Sequence, residues 1–271
     1  MNKGGAGQRL RLAHGFRHKS GDRLLQLVSA LLLLVLWLIL SLMLSSRVVP
    51  GPLTTLHFMA VEITHGALLF NLWMTFKREI IAFAIAMLLG IVLGIISGTS
   101  RRGDRVLAVW ITAGLTMPRI VLFVIAYLLL GLSDTAAISA LTLTIVPTII
   151  VQIREGTQAL DNKLLQMARV YRRPFSRVFR QVIFPQLLPY FIGTARSALS
   201  LAWKMAILAE LLGRTNGAGY MIYFYFQLFN MQGVLAYGLA MMIILALVDL
   251  SFVYLMHRAT FRWRRSVKLS L

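Results

Sequence analysis

Apolar runs of about twenty residues, set apart by basic segments, recur along this chain. A helix of that length crosses the hydrocarbon core of a bilayer. Six such runs are read, at 24–44, 80–97, 106–130, 135–153, 190–212 and 234–256. The first follows a basic tail, as a signal peptide does. Its apolar stretch is longer than a signal h-region and no small-residue cleavage site follows, so it is expected to stay as a membrane helix. A transmembrane barrel would alternate apolar and polar residues, and these runs do not. The expected fold class is therefore all-α integral membrane, with six transmembrane helices. The composition agrees: 58% of residues are hydrophobic and 14% charged, against roughly half and a quarter in soluble domains. Cysteine is absent, which excludes disulfides, thiol chemistry and Cys-based metal sites.

The net charge of +19 would suggest nucleic acid in a soluble protein. Here its placement matters more. Six spans put both termini on one side. That side holds the N-terminal tail, the turn at 98–105, the connection at 154–189 and the C-terminal tail, and these carry most of the 28 Lys and Arg. The other side has only Arg47, Lys77, Arg78 and Arg214. The positive-inside rule makes the rich side cytoplasmic. The charge then reflects topology and attraction to anionic headgroups. Membrane lipids are expected partners and nucleic acid is not. The domain plan is a basic cytoplasmic tail at 1–23, expected to be disordered, a transmembrane domain at 24–256 and a basic cytoplasmic tail at 257–271.

The connection at 154–189 is patterned. Leu160, Leu164, Ala168 and Tyr171 share one helical face, and Phe175, Val178, Phe179, Val182 and Ile183 share another. Pro174 suits the first turn of the second helix. Two short amphipathic helices are expected, joined near Arg172–Arg173, with Pro185 and Pro189 marking the return to the membrane. Such a segment reads as a lipid-held surface loop, as a target helix for a soluble protein, or as a docking element whose charges fix its register.

Its residues resemble the EAA loop of ABC importer permeases, whose pattern is Glu-Ala-Ala, three residues, Gly, nine residues, Ile-x-Leu-Pro. Gln166, Met167 and Ala168 take the first places, Arg172 the glycine, Val182 the isoleucine, Phe184 the leucine and Pro185 the proline. "VVPGP" (48–52), "LGIVLGIISGTSRRGDRVL" (89–107) and "WKMAILAELLGRTNGAGYMI" (203–222) are similar to segments of the nitrate/sulfonate/taurine-type subgroup. The ordered resemblance runs over about 48–256. It implies the type I (MetI-like) importer permease fold in the bacterial cytoplasmic membrane, and a second permease subunit, a homodimer being the expected form. It also implies ABC ATPase subunits seated on the loop, with Tyr171, Phe175 and Phe179 on the docking ridge, and a periplasmic solute-binding protein. No cofactor is expected on this chain. It lacks a G-x-x-x-x-G-K-[ST] loop, so ATP and Mg are expected on the ATPase. No metallopeptidase helix or nucleophile elbow occurs either, and no catalytic or metal-binding residue is assigned. The expected role is passage of a small anion, with nitrate, sulfonate or taurine leading. Another small organic solute, such as an aromatic acid or a pyrimidine precursor, is the alternative within the class. A self-sufficient secondary transporter or channel is the alternative outside it.

Ionisable residues inside spans are functional candidates by default. Arg119 follows Pro118 in the third run and suits either an anion site or a carbonyl clamp. Arg196 is near enough to a span end to snorkel. Lys204 is placed to attract an anion or to pair with Glu210. Glu210 suits a structural or gating role, with substrate contact as the alternative. Asp249 needs a cation, for which Lys204 and Arg119 are the candidates. Gly90, Gly94 and Gly98 form a small-residue row suited to close helix packing. The aromatic cluster from Tyr220 to Phe229 suits an interfacial belt or a lid.

Overall fold

The computed structural model describes residues 25–45 and 48–264, with the backbone alone for Arg169, Val253 and residues 255–264. The N-terminal tail, Arg47 and the end of the C-terminal tail lie outside the described residues. All regular elements among those described are helical. They are α1 (Leu25–Met43), α2 (Pro52–Thr64), α3 (Leu68–Thr99), α4 (Arg101–Thr116), α5 (Arg119–Leu130), α6 (Asp134–Gln158), α7 (Asn162–Val170), α8 (Phe175–Val178), α9 (Phe184–Gly213), α10 (Ala218–Gln227) and α11 (Met231–Arg264), with a π-turn at Phe179–Ile183.

The core is α3 packed on α6, with α9 across both. Gly90, Gly94 and Gly98 of α3 meet Ile149, Ile153 and Thr157 of α6. A Cβ on Gly94 would stand 2.7 Å from the Ile153 Cβ, and one on Gly98 2.6 Å from the Thr157 Cβ. The small-residue row therefore closes a contact within this chain. The third helix answers with Ala198, Ala202, Ala206 and Ala209, all buried. Small faces let the three backbones approach closely, and dispersion and packing hold helices together where lipid supplies no hydrophobic drive. A second cluster joins α2, α10 and α11. There the Tyr225 and Tyr237 hydroxyls donate to Glu62 at 2.8 and 3.1 Å. Tyr225 is thus a core residue, whereas Phe226 and Phe229 are exposed.

Two expectations change. The run at 106–130 is not one straight span: α4 and α5 meet at 99°. Pro118 disfavours helical geometry in the residue before it, and Met117 is extended, at φ −64 and ψ 129. The second span begins at Leu68 rather than near Ile80, so Lys77 and Arg78 lie inside a helix and not in an outer loop. By length and apolarity four helices qualify as membrane spans, α1, α3, α6 and Met231–Phe252 of α11, and five if the bent pair counts as one. The remaining long helix, α9, has 30 residues but carries Arg196, Lys204 and Glu210, and it is not among them.

Gly94→Ala is expected to overpack the α3–α6 contact and cost about 1–3 kcal/mol, read as a lower Tm of the purified protein in detergent. Gly193→Ala, whose Cβ meets nothing within 4 Å, should leave the Tm where it is.

Candidate functional site

At one end of the bundle the chain makes an elbow. Asp161 accepts from the Lys163 N–H at 2.8 Å and starts α7. The helix stops at Val170, and the Arg173 N–H closes the turn on the Ala168 carbonyl at 3.1 Å. Arg172 has φ +46, the left-handed region that glycine enters without steric penalty. From Phe175 onward α8, the π-turn and α9 follow without interruption. The expected separate second helix is instead the start of the long one. Pro185 sits in the first turn of α9 and Pro189 within it, so neither marks a break. Pro185 has no N–H to donate, and its ring would crowd the carbonyl four residues back in a regular helix. The wider π-turn just ahead relieves that crowding. Gln186 braces the elbow, accepting from the Asp161 N–H at 2.9 Å and donating to the Val182 carbonyl at 3.0 Å.

The elbow shows its apolar side chains. Tyr171 is 68% exposed and Phe175 75%; Met167, Phe179 and Phe184 are exposed too. Gln166 is exposed, Val182 and Pro185 are half-buried, and Ala168 alone is enclosed, where α7 turns. A hollow of about 360 Å³ between the two arms is lined by Leu164, Met167, Ala168, Tyr171, Arg173 and Val182 among others.

At the opposite end lies an ionic cluster centred on Arg78, which is 3% exposed. Its Nε donates to Asp134 at 2.7 Å. Its Nη1 donates to Glu210 at 2.6 Å and to the Asn216 carbonyl at 3.0 Å. Its Nη2 donates to the Asn216 side chain. Glu210, 1% exposed, also accepts from the Thr75 hydroxyl at 2.7 Å and the Gly219 N–H at 2.9 Å. Asn71 accepts from the Gly217 N–H at 2.8 Å. Gly217 has φ +111, and any Cβ there would collide with the Glu210 carboxylate. Arg214 adds a second cation against Asp134 at 2.9 Å. Glu79 is enclosed next to Arg78, with neither carboxylate oxygen hydrogen-bonded.

The remaining charges fall differently from expectation. Lys204 does not pair with Glu210; it is exposed on α9. Asp249 pairs with neither Lys204 nor Arg119. Arg196 takes it, through Nε and Nη2, at 2.7 Å each. Arg119 is exposed at the start of α5, at the bend. Arg78 had been counted as a loop charge. Its signal was the inward row Asn71, Thr75, Arg78, Ala82, Ala86, Gly90, Gly94 at helical spacing, which continues straight through the polar residues.

The described residues form an all-helical core with a sharply bent α4–α5 pair, a projecting elbow and a long helix running out of it. A chain of the MetNI methionine ABC transporter, solved in inward-facing conformations, superposes with a TM-score of 0.62 at 18% identity, covering 70% of this chain and 95% of that one. Residues 86–261 match the family described as binding-protein-dependent transport system inner membrane component, and the chain belongs to that family. SsuC of Bacillus subtilis, named as an aliphatic sulfonates transport permease, is 28% identical over 222 residues, 82% of this chain and 80% of that one. The nitrate import permease NrtB of Synechococcus elongatus is 24% identical over 200 residues, 70% and 72% of the two chains. The protein is thus an ABC importer permease subunit, a transport component rather than an enzyme.

Two outcomes follow from this geometry. Arg78→Met strands Glu210 as an uncompensated buried charge and should cost about 3–5 kcal/mol. Adding Glu210→Gln should recover part of the loss in a thermal-shift measurement. Arg172→Gly should relieve about 1 kcal/mol of left-handed backbone strain, seen as slower amide hydrogen exchange across residues 168–178.

Proposed function

We propose that this chain forms the membrane pathway of an ATP-driven importer for a small anion of the nitrate, sulfonate or taurine kind. The observation that carries the reading is the elbow: aromatic side chains project from a basic segment at one end of the bundle, uncovered by the chain itself. Exposed aromatic anchors with arginines around them are what a protein interface uses. The occupant is an ATPase subunit that carries ATP and Mg and presents a groove to Tyr171, Phe175 and Phe179. The excess of Lys and Arg on that side supports a cytoplasmic elbow and cytoplasmic termini. A periplasmic binding protein delivers solute at the opposite end, and a second permease, most simply a copy of this one, completes the pathway.

The unbroken run from Phe175 through the π-turn to Gly213 explains how a push at the elbow reaches the membrane. A continuous helix transmits displacement along its axis, with no flexible loop to absorb it. The anion class is supported by two things. The relatives named above transport sulfonates and nitrate by name, and this chain carries exposed cations at Lys204 of α9 and at Arg119 by the α4–α5 bend. An exposed cation within a span attracts anions and is too costly to face lipid.

Tyr171→Asp with Phe175→Asp should abolish co-purification of a Walker-motif ATPase from the native host in mild detergent, without changing the permease's own elution profile. An ATPase still bound to the double variant would remove the elbow as the joint.

A further inference from the structure

We propose that Arg196 is an oxyanion-binding residue of the pathway and that Asp249 is an internal stand-in for the solute's charged group. The inference rests on the anion reading above and assigns it a site. Arg196 grips Asp249 through two parallel hydrogen bonds of 2.7 Å. That fork recognises any group presenting two oxygens at carboxylate spacing, as carboxylates, sulfonates and nitrate do. The pair opens into a cavity of about 510 Å³ between α9 and α11, lined also by Gly193, Ser197, Ser200 and Met242, a volume within the range of small-molecule sites.

Arg196 lies about 18 Å along α9 from its elbow end, at 1.5 Å per residue, and Asp249 lies in the last turn of the apolar span Met231–Phe252. Their side chains are 56% and 37% exposed. A pair so open faces water or polar protein, since hydrocarbon would solvate neither group. The same side of α9 is polar from Gly193 to Lys204. Gly193, Arg196, Ser197 and Lys204 are exposed and Ser200 is half-exposed, while Ala198, Ala202 and Ala206 face the core. Ser197 is held by Gln152 at 2.9 Å. Lys204, two turns beyond Arg196, continues the positive lining toward the opposite end.

Exposure also sets the energetics of exchange. An ion pair open to solvent is held weakly, so an arriving oxyanion can take the guanidinium while Asp249 returns to water. The enclosed Arg78–Glu210 pair, 3% and 1% exposed, offers no such exchange.

The test uses the permease with its ATPase in nanodiscs for equilibrium binding of labelled ethanesulfonate and of nitrate. The complete transporter with its binding protein, in proteoliposomes, gives uptake and ATP hydrolysis. Arg196→Gln should weaken binding and uptake at least tenfold, with ATP hydrolysis retained. Arg196→Lys, which keeps the charge and loses the fork, should fall between. Asp249→Asn, which removes the internal competitor, should tighten binding about threefold. Equal losses in Arg196→Gln and Asp249→Asn would make the pair a structural tie and overturn the proposal. Wild-type uptake that survives Arg196→Gln unchanged would overturn it too, and would leave the anion reading standing. A wild-type transporter that neither binds nor imports either anion would remove both.

Discussion

Arg78 joins three regions that lie far apart in sequence: α3, the start of α6, and the end of α9 with the 214–217 loop that follows it. A guanidinium enclosed within a membrane protein is tolerable only when its donors are matched, and here Asp134, Glu210 and Asn216 meet it. The consequences propagate outward. Glu210 must reach Arg78, so the loop after α9 has to fold back over its carboxylate. That fold puts the Gly219 N–H on the carboxylate and leaves no room for a side chain at Gly217. A Glu followed by Gly-x-Gly is therefore one device: a buried acid, a backbone donor to satisfy it, and a glycine where its carboxylate takes the space.

This anchoring gives α9 two unlike ends. The Glu210 end is clamped by charges with almost no exposure, and breaking it is expensive. The Phe175 end stands free of the bundle in an elbow with a strained residue at its turn. Arg196 and Lys204 lie between them on the one polar side of the helix. Under the proposed function, displacement enters at the free end and the clamp serves as the fixed point. The groups between then move relative to α11, which carries Asp249. The glycine row of α3 against α6 supplies the rigid frame that such movement needs, because interdigitated small residues leave no slack to take up a shift.

Much of this was legible in the sequence. Apolar run length located α1, α3, α6 and α11, because a span's length is set by the bilayer and not by its neighbours. The small-residue row announced a close contact, and the join expected near Arg172–Arg173 is where the structure turns, with Arg172 at φ +46. Missed features share a cause. Arg78 was read as a loop charge because local hydropathy falls there, yet its cost is offset by partners 56 to 138 residues away. The Pro118 break was in the sequence, but a proline alone does not tell a kink from a tolerated residue. Pro147 remains inside α6 without ending it. Asp249 was offered the wrong cations because partner choice depends on how α9 and α11 are rotated, which no single-helix pattern fixes.

The two arginine–carboxylate contacts show why residue type underdetermines role. Arg78–Glu210 and Arg196–Asp249 are chemically alike and nearly equal in length, 2.6 and 2.7 Å. One is sealed among α3, α9 and a loop, where no ion can reach it and loss of either partner leaves a stranded charge. The other stands at the wall of a cavity, where solvent already competes for both groups. A sealed pair holds helices in register, whereas an open one can trade partners. In a transport subunit the second property is the useful one, because a pathway must bind its solute well enough to admit it and weakly enough to release it.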